Sequence, residues 1–204
     1  IAGEQSFILG VDDVKLSAQN IYNIGAAITG AAVTIEAVTG VFSNEAAQVG
    51  KLNLTQRCKW FCRISGSSDL RLVGGTVTAS DKLAISAGTT VANRAGQLTG
   101  AKGIAIRAPL TEFIPAFSAQ LIEHPAGLTG FFRGRRGHLM LDYGYGMFQS
   151  QSGDILIEGD AAIGGGDISA SGTVTITGSR IESRWPAGLT LFERRPLGLL
   201  WSIF

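Results

Sequence analysis

The sequence predicts an all-β chain whose short strands stack in successive coils, and three observations predict it. Residues 28–37 return in similar form as residues 98–108, each an apolar pair after a Thr-Gly turn. Similar pairs recur along the chain, mostly at a step of 19 residues, with steps of 13 and 21 in one series. Only 16% of the residues are charged and 28 are glycine, which favours short strands joined by turns. A unit this short buries its apolar face only by stacking on its neighbours.

Apolar residues separated by one position mark the predicted strands. Their alternation has the period of a strand and not of a helix. We expect the members of each series to lie over one another, with Val, Leu, Ile and Ala inside. The three series are Val14/Leu16, Val33/Ile35 and Leu52/Leu54; then Leu70/Leu72, Leu83/Ile85 and Ile104/Ile106; then Ile155/Ile157 and Val174/Ile176.

Asparagine and glycine predict the corners between strands. Asn23, Asn44 and Asn93 each follow a second apolar point, and a third apolar point precedes a glycine, as Leu98 precedes Gly100. Both residue types suit turns that need left-handed backbone angles or local side-chain hydrogen bonds. Three strands per coil, paired in parallel about 4.8 Å apart, describe a parallel β-helix, or β-solenoid. The predicted rung has about 19–21 residues, with side loops outside the coil.

The predicted domain organisation follows from where the coil pattern stops. Residues 1–108 form rungs with a Cys-containing insertion at 55–69, residues 109–153 form an aromatic and basic side element, and residues 154–184 form further rungs. Residues 185–204 are an apolar C-terminal cap or an inter-subunit element. A second repeat supports side elements, because residues 125–136 return as residues 186–196.

The order of these motifs resembles the haemagglutinin repeats of filamentous-haemagglutinin-type exoproteins, the large passengers of two-partner secretion. The resemblance is best over 14–50 and 70–108 and looser over 154–183. It implies a right-handed parallel β-helix that is secreted to the bacterial cell surface, associates with the outer membrane and acts in adhesion. Because the sequence starts at Ile1 and not at Met, we also expect a processed protein or a piece of a larger one.

A basic and aromatic cluster is the candidate ligand site. Arginine presents a planar fork to anions, and aromatic faces stack on sugar rings. The expected partner is a surface polysaccharide or host glycan, or an outer-membrane partner protein; the net charge of +1 gives no reason to expect nucleic acid. The alternative is that the aromatic rings pack the side element and the arginine heads are solvated. The cluster is Arg133, Arg135, Arg136, Tyr143 and Tyr145.

Two cysteines, Cys58 and Cys62, form either a local disulfide or a pair of free thiols. Two thiolates without a nearby histidine do not complete a zinc site, so we expect no metal and no cofactor. The chain end is strongly apolar and either packs on its own coil or inserts into the next molecule, which predicts a homo-oligomer and possible fibres. The assembly residues are Leu199, Leu200, Trp201, Ile203 and Phe204.

The prediction for function is a non-catalytic adhesin or structural anchor. Carboxylates are available for polysaccharide cleavage, but no pair follows from the coil spacing, and no nucleophile or phosphate-loop motif is present. Three alternatives stay open: a phage tail fibre or tailspike segment, a bactofilin-like structural polymer, and a polysaccharide-cleaving β-helix enzyme.

Overall fold

The computed structural model describes residues 6–58, 62–68, 70–123 and 137–183. Every regular element in these residues is a β-strand, and most of the pairing between strands is parallel. The prediction of an all-β chain is confirmed. Nothing in the described ranges is long, helical and apolar enough to cross a membrane.

The chain divides into two compact units. The first unit consists of Ile1–Gln48, Leu72–Phe117 and Tyr143–Pro186. The second unit consists of Val49–Arg71, Ser118–Asp142 and Ala187–Phe204. Each unit is therefore assembled from three separate segments of the sequence.

Three parallel ladders of strands make up the first unit. Ladder A is a six-stranded sheet with the spatial order β1 (Phe7–Leu9), β4 (Ala27–Gly30), β11 (Thr76–Ala79), β14 (Gln97–Gly100), β18 (Gly146–Ser150) and β20 (Gly166–Ala170). Its strands are never neighbours in sequence, because two further ladders intervene between them.

Ladders B and C belong to one sheet, joined through two long strands, β15 (Gly103–Ile114) and β19 (Ile155–Ile163). Ladder B contains β2 (Asp13–Ala18), β5 (Ala32–Ala37), β12 (Lys82–Ala87), the first halves of β15 and β19, and β21 (Val174–Thr177). Ladder C contains β3 (Ile21–Ile24), β6 (Val41–Glu45), β13 (Thr90–Arg94), the second halves of β15 and β19, and β22 (Ile181–Ser183). The register shifts between Arg107 and Leu110, where one ladder gives way to the other.

The strands follow one another in the order A, B, C, so that each passage through the three ladders forms one level. Six levels are described: β1–β3, β4–β6, β11–β13, β14–β15, β18–β19 and β20–β22. Levels 1 and 2, 3 and 4, and 5 and 6 follow each other directly. Longer segments separate level 2 from level 3 and level 4 from level 5.

Stacked aliphatic columns form the core between the ladders. Leu16 lies in register with Ile35, and Ile35 lies in register with Ile85. The column continues through Ile106, Ile157 and Ile176, and a parallel column runs through Val14, Val33, Leu83, Ile104, Ile155 and Val174. Most members are fully buried, because side chains of one parity along each strand point inward. The stacking predicted for these pairs is confirmed.

The prediction is wrong for two of the pairs. Leu54 lies in β8 (Leu52–Cys58), which pairs antiparallel with β9 (Cys62–Ser68), so that Leu54 faces Gly66 and not Ile35. Leu72 lies in β10 (Arg71–Val73), which pairs only with β7 (Ala47–Val49). Both pairs alternate like a strand, and alternation specifies a strand without specifying its partner.

The side elements differ in extent from the predicted ones. The first leaves after Glu45 and returns at Thr76, so it includes the strands on either side of residues 55–69. The second is shorter than 109–153, because residues 110–113 pair with β13 and β19 inside ladder C. Between these residues and β18, the chain forms a two-stranded sheet of β16 (Ala116–Glu123) and β17 (Gly137–Gly144).

Candidate functional site

The corner between ladder C and ladder A carries a column of asparagines. Asn23, Asn44 and Asn93 lie in register on β3, β6 and β13. The Asn23 amide donates to Asn44 Oδ1 (2.7 Å), and the Asn44 amide donates to Asn93 Oδ1 (2.9 Å). Asn44 and Asn93 are completely buried. These residues are paired strand residues with inward side chains and not the turn residues that the sequence predicts.

The asparagine column also binds the backbone of the corner. The Asn44 amide donates to the Gly75 carbonyl (2.7 Å), and the Asn93 amide donates to the Gly96 carbonyl (2.9 Å). Each amide thus fixes the start of the next strand of ladder A. We call this arrangement, with the residues that follow each asparagine up to ladder A, the asparagine corner.

Two residues are enough to cross the asparagine corner. Levels 1, 3 and 5 cross it with Gly25-Ala26, Ala95-Gly96 and Gly164-Gly165. Gly25 (φ 65°) and Gly165 (φ 79°) have left-handed backbone angles that glycine adopts without cost. Ala95 is the one described non-glycine residue with a positive φ (50°). The tight crossing therefore requires a left-handed residue.

Level 2 crosses the same corner by way of residues 46–75, which we call the first excursion. The Ala46 N–H donates to the Arg94 carbonyl (3.0 Å), and the Gln97 N–H donates to the Gly75 carbonyl (2.8 Å). A Cβ on Gly75 would lie 2.4 Å from the Glu45 carbonyl carbon. The chain thus leaves and re-enters the stack at one point, and both ends keep the hydrogen bonds of a direct crossing.

Level 4 crosses the corner by way of residues 115–145, the second excursion. The Ala95 N–H donates to the Ile114 carbonyl (3.0 Å), and the Met147 N–H donates to the Gly96 carbonyl (2.9 Å). In place of a fourth asparagine stands Phe113, whose ring lies 4.2 Å from that of Phe148 at an interplanar angle of 44°. The two ends of the second excursion thus also keep the backbone hydrogen bonds of a direct crossing.

The bases of the two excursions contact each other within the first unit. The Gln48 side-chain amide donates to the Phe117 carbonyl (2.7 Å). A Cβ on Gly144 would lie 2.3 Å from Leu72 Cδ1, so a larger residue there would require the Leu72 side chain to move. The C-terminal segment, residues 184–204, follows level 6 at the equivalent position in the chain order.

Charge is divided unequally between the stack and these three segments. The two excursions and the C-terminal segment contain 11 Lys or Arg and 4 Asp or Glu, a net charge of +7. The remaining residues contain 6 and 12, a net charge of −6, and together they give the +1 of the whole chain. The eleven cations are Lys51, Arg57, Lys59, Arg63, Arg71, Arg133, Arg135, Arg136, Arg184, Arg194 and Arg195.

Most of these cations lie outside the predicted ligand cluster. The cluster includes the arginines of the second excursion but none of the five cations of the first, which has a net charge of +4. The net charge of the whole chain does not reveal these cations, because acidic residues elsewhere in the chain offset their charge. Summing the charge over each interruption of the coil pattern is the signal that finds them.

The predicted ligand residues are only partly within the described chain. Arg133, Arg135 and Arg136 lie outside the described residues. Tyr143 lies in β17, where only the backbone is described. Tyr145 lies between β17 and β18 with 39% of its surface exposed. Their grouping into one site therefore stays a prediction.

The predicted cysteine pair lies in described strands, whereas the predicted assembly residues do not. Cys58 ends β8 and Cys62 begins β9, and the two residues face each other in the antiparallel register. Directly opposed residues of an antiparallel pair have the Cα separation that a disulfide requires. The disulfide itself stays a prediction, because these side chains are not described. Leu199, Leu200, Trp201, Ile203 and Phe204 lie outside the described residues.

Acidic side chains on the first unit mainly hold neighbouring levels together. Glu158 forms an ion pair with Arg107 one level away, and Asp154 accepts a hydrogen bond from the Thr173 N–H (2.7 Å). Asp160 accepts hydrogen bonds from the Ser179 hydroxyl and the Arg180 N–H, which hold the pKa of its carboxyl below the ordinary value. Across the described ranges, no three His, Cys, Asp or Glu side chains are grouped to hold a metal ion.

No family model, no curated protein and no solved structure matches this chain.

Proposed function

We propose that this chain is a non-catalytic, exported bacterial surface adhesin that binds an acidic polysaccharide through its excursions. The observation that carries the proposal is the division of charge: a net +7 in the two excursions and the C-terminal segment, against −6 in the remaining residues. The first excursion, at +4, contributes the largest share.

The scaffold of the proposed adhesin is a right-handed parallel β-helix. The repeated order of ladders A, B and C and the continuous aliphatic columns support a coil with three strands per turn. Parallel strands joined by crossover connections are right-handed in about 98% of cases, which supports the handedness that the family resemblance implies.

The excursions suit a binding role because the scaffold holds their bases in place. The first excursion is hydrogen bonded to Arg94 of level 3 at its start and to Gln97 of level 4 at its end, and Gln48 ties its base to the second excursion. A surface that is ordered before binding loses less conformational entropy when a ligand arrives. Hydrogen-bonded bases of this kind favour a binding role for the segments that start and end there.

An acidic polysaccharide is the partner that the charges favour. Lysine and arginine heads bind sulfate and carboxylate groups, and the arginine fork does so with two hydrogen bonds. Tyr145, partly exposed at the base of the second excursion, follows Arg133, Arg135 and Arg136 in the sequence and offers an aromatic face for a sugar ring. A surface polysaccharide or a host glycan with such groups fits this chemistry.

Heparin immobilised on a sensor surface provides the test. We expect the full chain to bind it, and binding to weaken with added salt because exposed charges are screened. The triple variant Arg133→Ala, Arg135→Ala and Arg136→Ala should bind at least about tenfold more weakly, the equivalent of roughly 1.4 kcal/mol. A second variant, Arg57→Ala with Arg63→Ala, should also lose affinity.

A matched control removes three cations from the stack. Lys15→Ala, Lys82→Ala and Lys102→Ala change the net charge by the same amount, and heparin binding should stay within about twofold of the parent. Equal losses in the two triple variants would contradict the proposal, since binding would then follow the charge of the whole chain. Tighter binding of a short duplex DNA than of heparin would overturn the polysaccharide assignment.

A further inference from the structure

We infer that the chain self-associates head to tail, with level 6 of one copy pairing onto level 1 of the next. This inference rests on the proposed β-helix but not on its adhesive role. It concerns β1, β2 and β3 at one end of the ladders and β20, β21 and β22 at the other.

Both end levels have open strand edges. Within the described chain, β1, β2 and β3 each pair on one side only, and so do β20, β21 and β22. The Gly10 N–H donates to the Thr29 carbonyl of β4. Because backbone groups alternate from side to side along a strand, those of Phe7 and Leu9 point away from β4. Likewise, Val38 N–H donates to Ala18, which leaves the N–H and C=O of Lys15 at the open edge of β2. Unpaired groups of this kind are a template for another strand.

Apolar side chains surround these open edges. At level 1, Ile8, the first member of the ladder A column, is 47% exposed, and its strand neighbours Phe7 and Leu9 are 73% and 65% exposed. At level 6, Val174 and Ile181 are also exposed, although they continue columns that are buried at the levels below. Members of the buried columns at both ends of the described levels are therefore partly uncovered by the described residues.

The two ends have the same spacing. Ile8, Val14 and Ile21 belong to ladders A, B and C, with steps of six and seven residues between them. Ile168, Val174 and Ile181 occupy the same columns at level 6, again with steps of six and seven. All three strands of one end can therefore pair with all three strands of the other end without a shift. This match is the reason to assign the edge to a second copy and not to a single foreign strand.

Side chains at the two ends are compatible in this register. Asn23 ends the asparagine column with its donor amide directed at Asn44, and the next copy brings Ser183, which carries a hydroxyl donor, into that column. Asp13 meets Thr173, and Lys15 meets Thr175. None of these in-register positions opposes two like charges.

Sedimentation velocity of the full chain over a range of concentrations tests the inference. Lys15→Pro removes the N–H that would donate to the Val174 carbonyl, and an edge strand tolerates proline. We expect it to weaken self-association at least about tenfold, equivalent to the loss of roughly 1.4 kcal/mol. The matched variant Lys15→Ala keeps the N–H and should associate like the parent. A monomer at every concentration, or equal association of the two variants, would overturn the inference.

A cross-linking experiment fixes the orientation and does not depend on the proline variant folding. Ser17 and Thr177 share a column, so Ser17→Cys on one chain and Thr177→Cys on another should lie about 4.8 Å apart between Cα atoms, within disulfide range. A mixture of the two single variants should give a disulfide dimer under oxidation, whereas each variant alone should give only the background of Cys58 and Cys62. Equal dimer in the mixture and in either variant alone would contradict head-to-tail pairing. Heparin binding is scored separately, so the two proposals fail independently.

Discussion

Three asparagine side chains, Asn23, Asn44 and Asn93, hold the backbone at the corner between ladder C and ladder A. A buried amide without partners costs free energy, and the corner avoids this cost because each asparagine is hydrogen bonded to an asparagine of a neighbouring level. Asn44 illustrates the point: it accepts from Asn23 and donates to both Asn93 and the Gly75 carbonyl. The column links three levels and fixes their register at the corner.

Replacing Asn44 with alanine should destabilise the protein strongly. The change removes three buried hydrogen bonds and leaves partners unsatisfied, so we expect the free energy of unfolding to fall by about 3 kcal/mol. Urea unfolding followed by circular dichroism measures it. Asn53→Ala, at an exposed strand position, is the control and should change stability by less than about 0.5 kcal/mol. A similar small effect at Asn44 would show that the column is not needed.

The asparagines were recognisable in the sequence, but their role was not. Asparagine is common in turns, and a turn is what the pattern around Asn23, Asn44 and Asn93 predicts. Whether an amide side chain serves its own turn or reaches the next level depends on which strands lie above and below it. That information comes from the pairing between strands of different levels, and the sequence of one rung does not contain it.

At the scale of the strand, side-chain caps join one level to the next at the turns. Asn20 Oδ1 accepts from the Val41 N–H (3.0 Å), and Asp160 Oδ1 accepts from the Ser179 N–H (2.8 Å). Asp160 also accepts from the Ser179 hydroxyl (2.8 Å) and the Arg180 N–H (3.0 Å). Each cap satisfies a backbone donor at a turn that the ladders do not pair.

The Asp160 cap should make stability depend on pH. The Ser179 hydroxyl, and then the Arg180 N–H, stabilise the carboxylate and lower its pKa from 3.8. A group with a lowered folded-state pKa stabilises the protein above its unfolded value and loses that contribution as the pH falls through the folded value. The free energy of unfolding of the parent should therefore fall more than that of Asp160→Asn below about pH 4. Urea unfolding at a series of pH values measures the difference.

An exposed acid away from this cap serves as the control. Asp12→Asn changes the net charge equally, and its pH profile should follow the parent. Parallel curves for the parent and Asp160→Asn down to about pH 2.5 would contradict the role of the cap.

Strands were predicted better than their partners. The alternation at Val14, Val33 and Leu83 correctly marked ladder B, because inward residues of a parallel stack must be apolar at every level. The same alternation in β8 belongs to an antiparallel hairpin, where Leu54 faces Gly66. Apolar periodicity reports that one face of a strand is buried, and it is silent about which strand buries it.

For the whole molecule, the two kinds of segment have opposite charge and separate structural roles. Stack residues carry the acids that tie levels together, while the interrupting segments carry most of the cations. The sequence contained this division, but only the strand pairing shows where the stack stops and an excursion starts. With its boundaries at Glu45 and Thr76 rather than at 55–69, the first excursion contains five cations in one continuous stretch of the sequence.

Removing the first excursion should leave the stack folded. Deletion of residues 46–73 leaves Gly74 and Gly75, both with positive φ, as a two-residue crossing like Gly25-Ala26. We expect the far-ultraviolet circular dichroism of a β protein, and a free energy of unfolding within about 2 kcal/mol of the parent, since closing a long loop adds little.

A second deletion tests the crossing itself. Removing residues 46–75 takes away both glycines and forces Glu45 directly onto Thr76. This variant should lose cooperative unfolding, because no residue remains to cross the asparagine corner. Loss of folding in the first deletion would contradict the independence of the stack.

The closed base of the first excursion has a consequence for how such a chain can change through evolution. Since Gly75 returns the backbone to Glu45, the length of the insert is uncoupled from the geometry of the levels on either side. Descendants of one ancestor can therefore gain, lose or exchange whole inserts at this point while their aliphatic columns stay aligned. Selection for a new ligand and selection for a stable framework would then act on different stretches of the same gene.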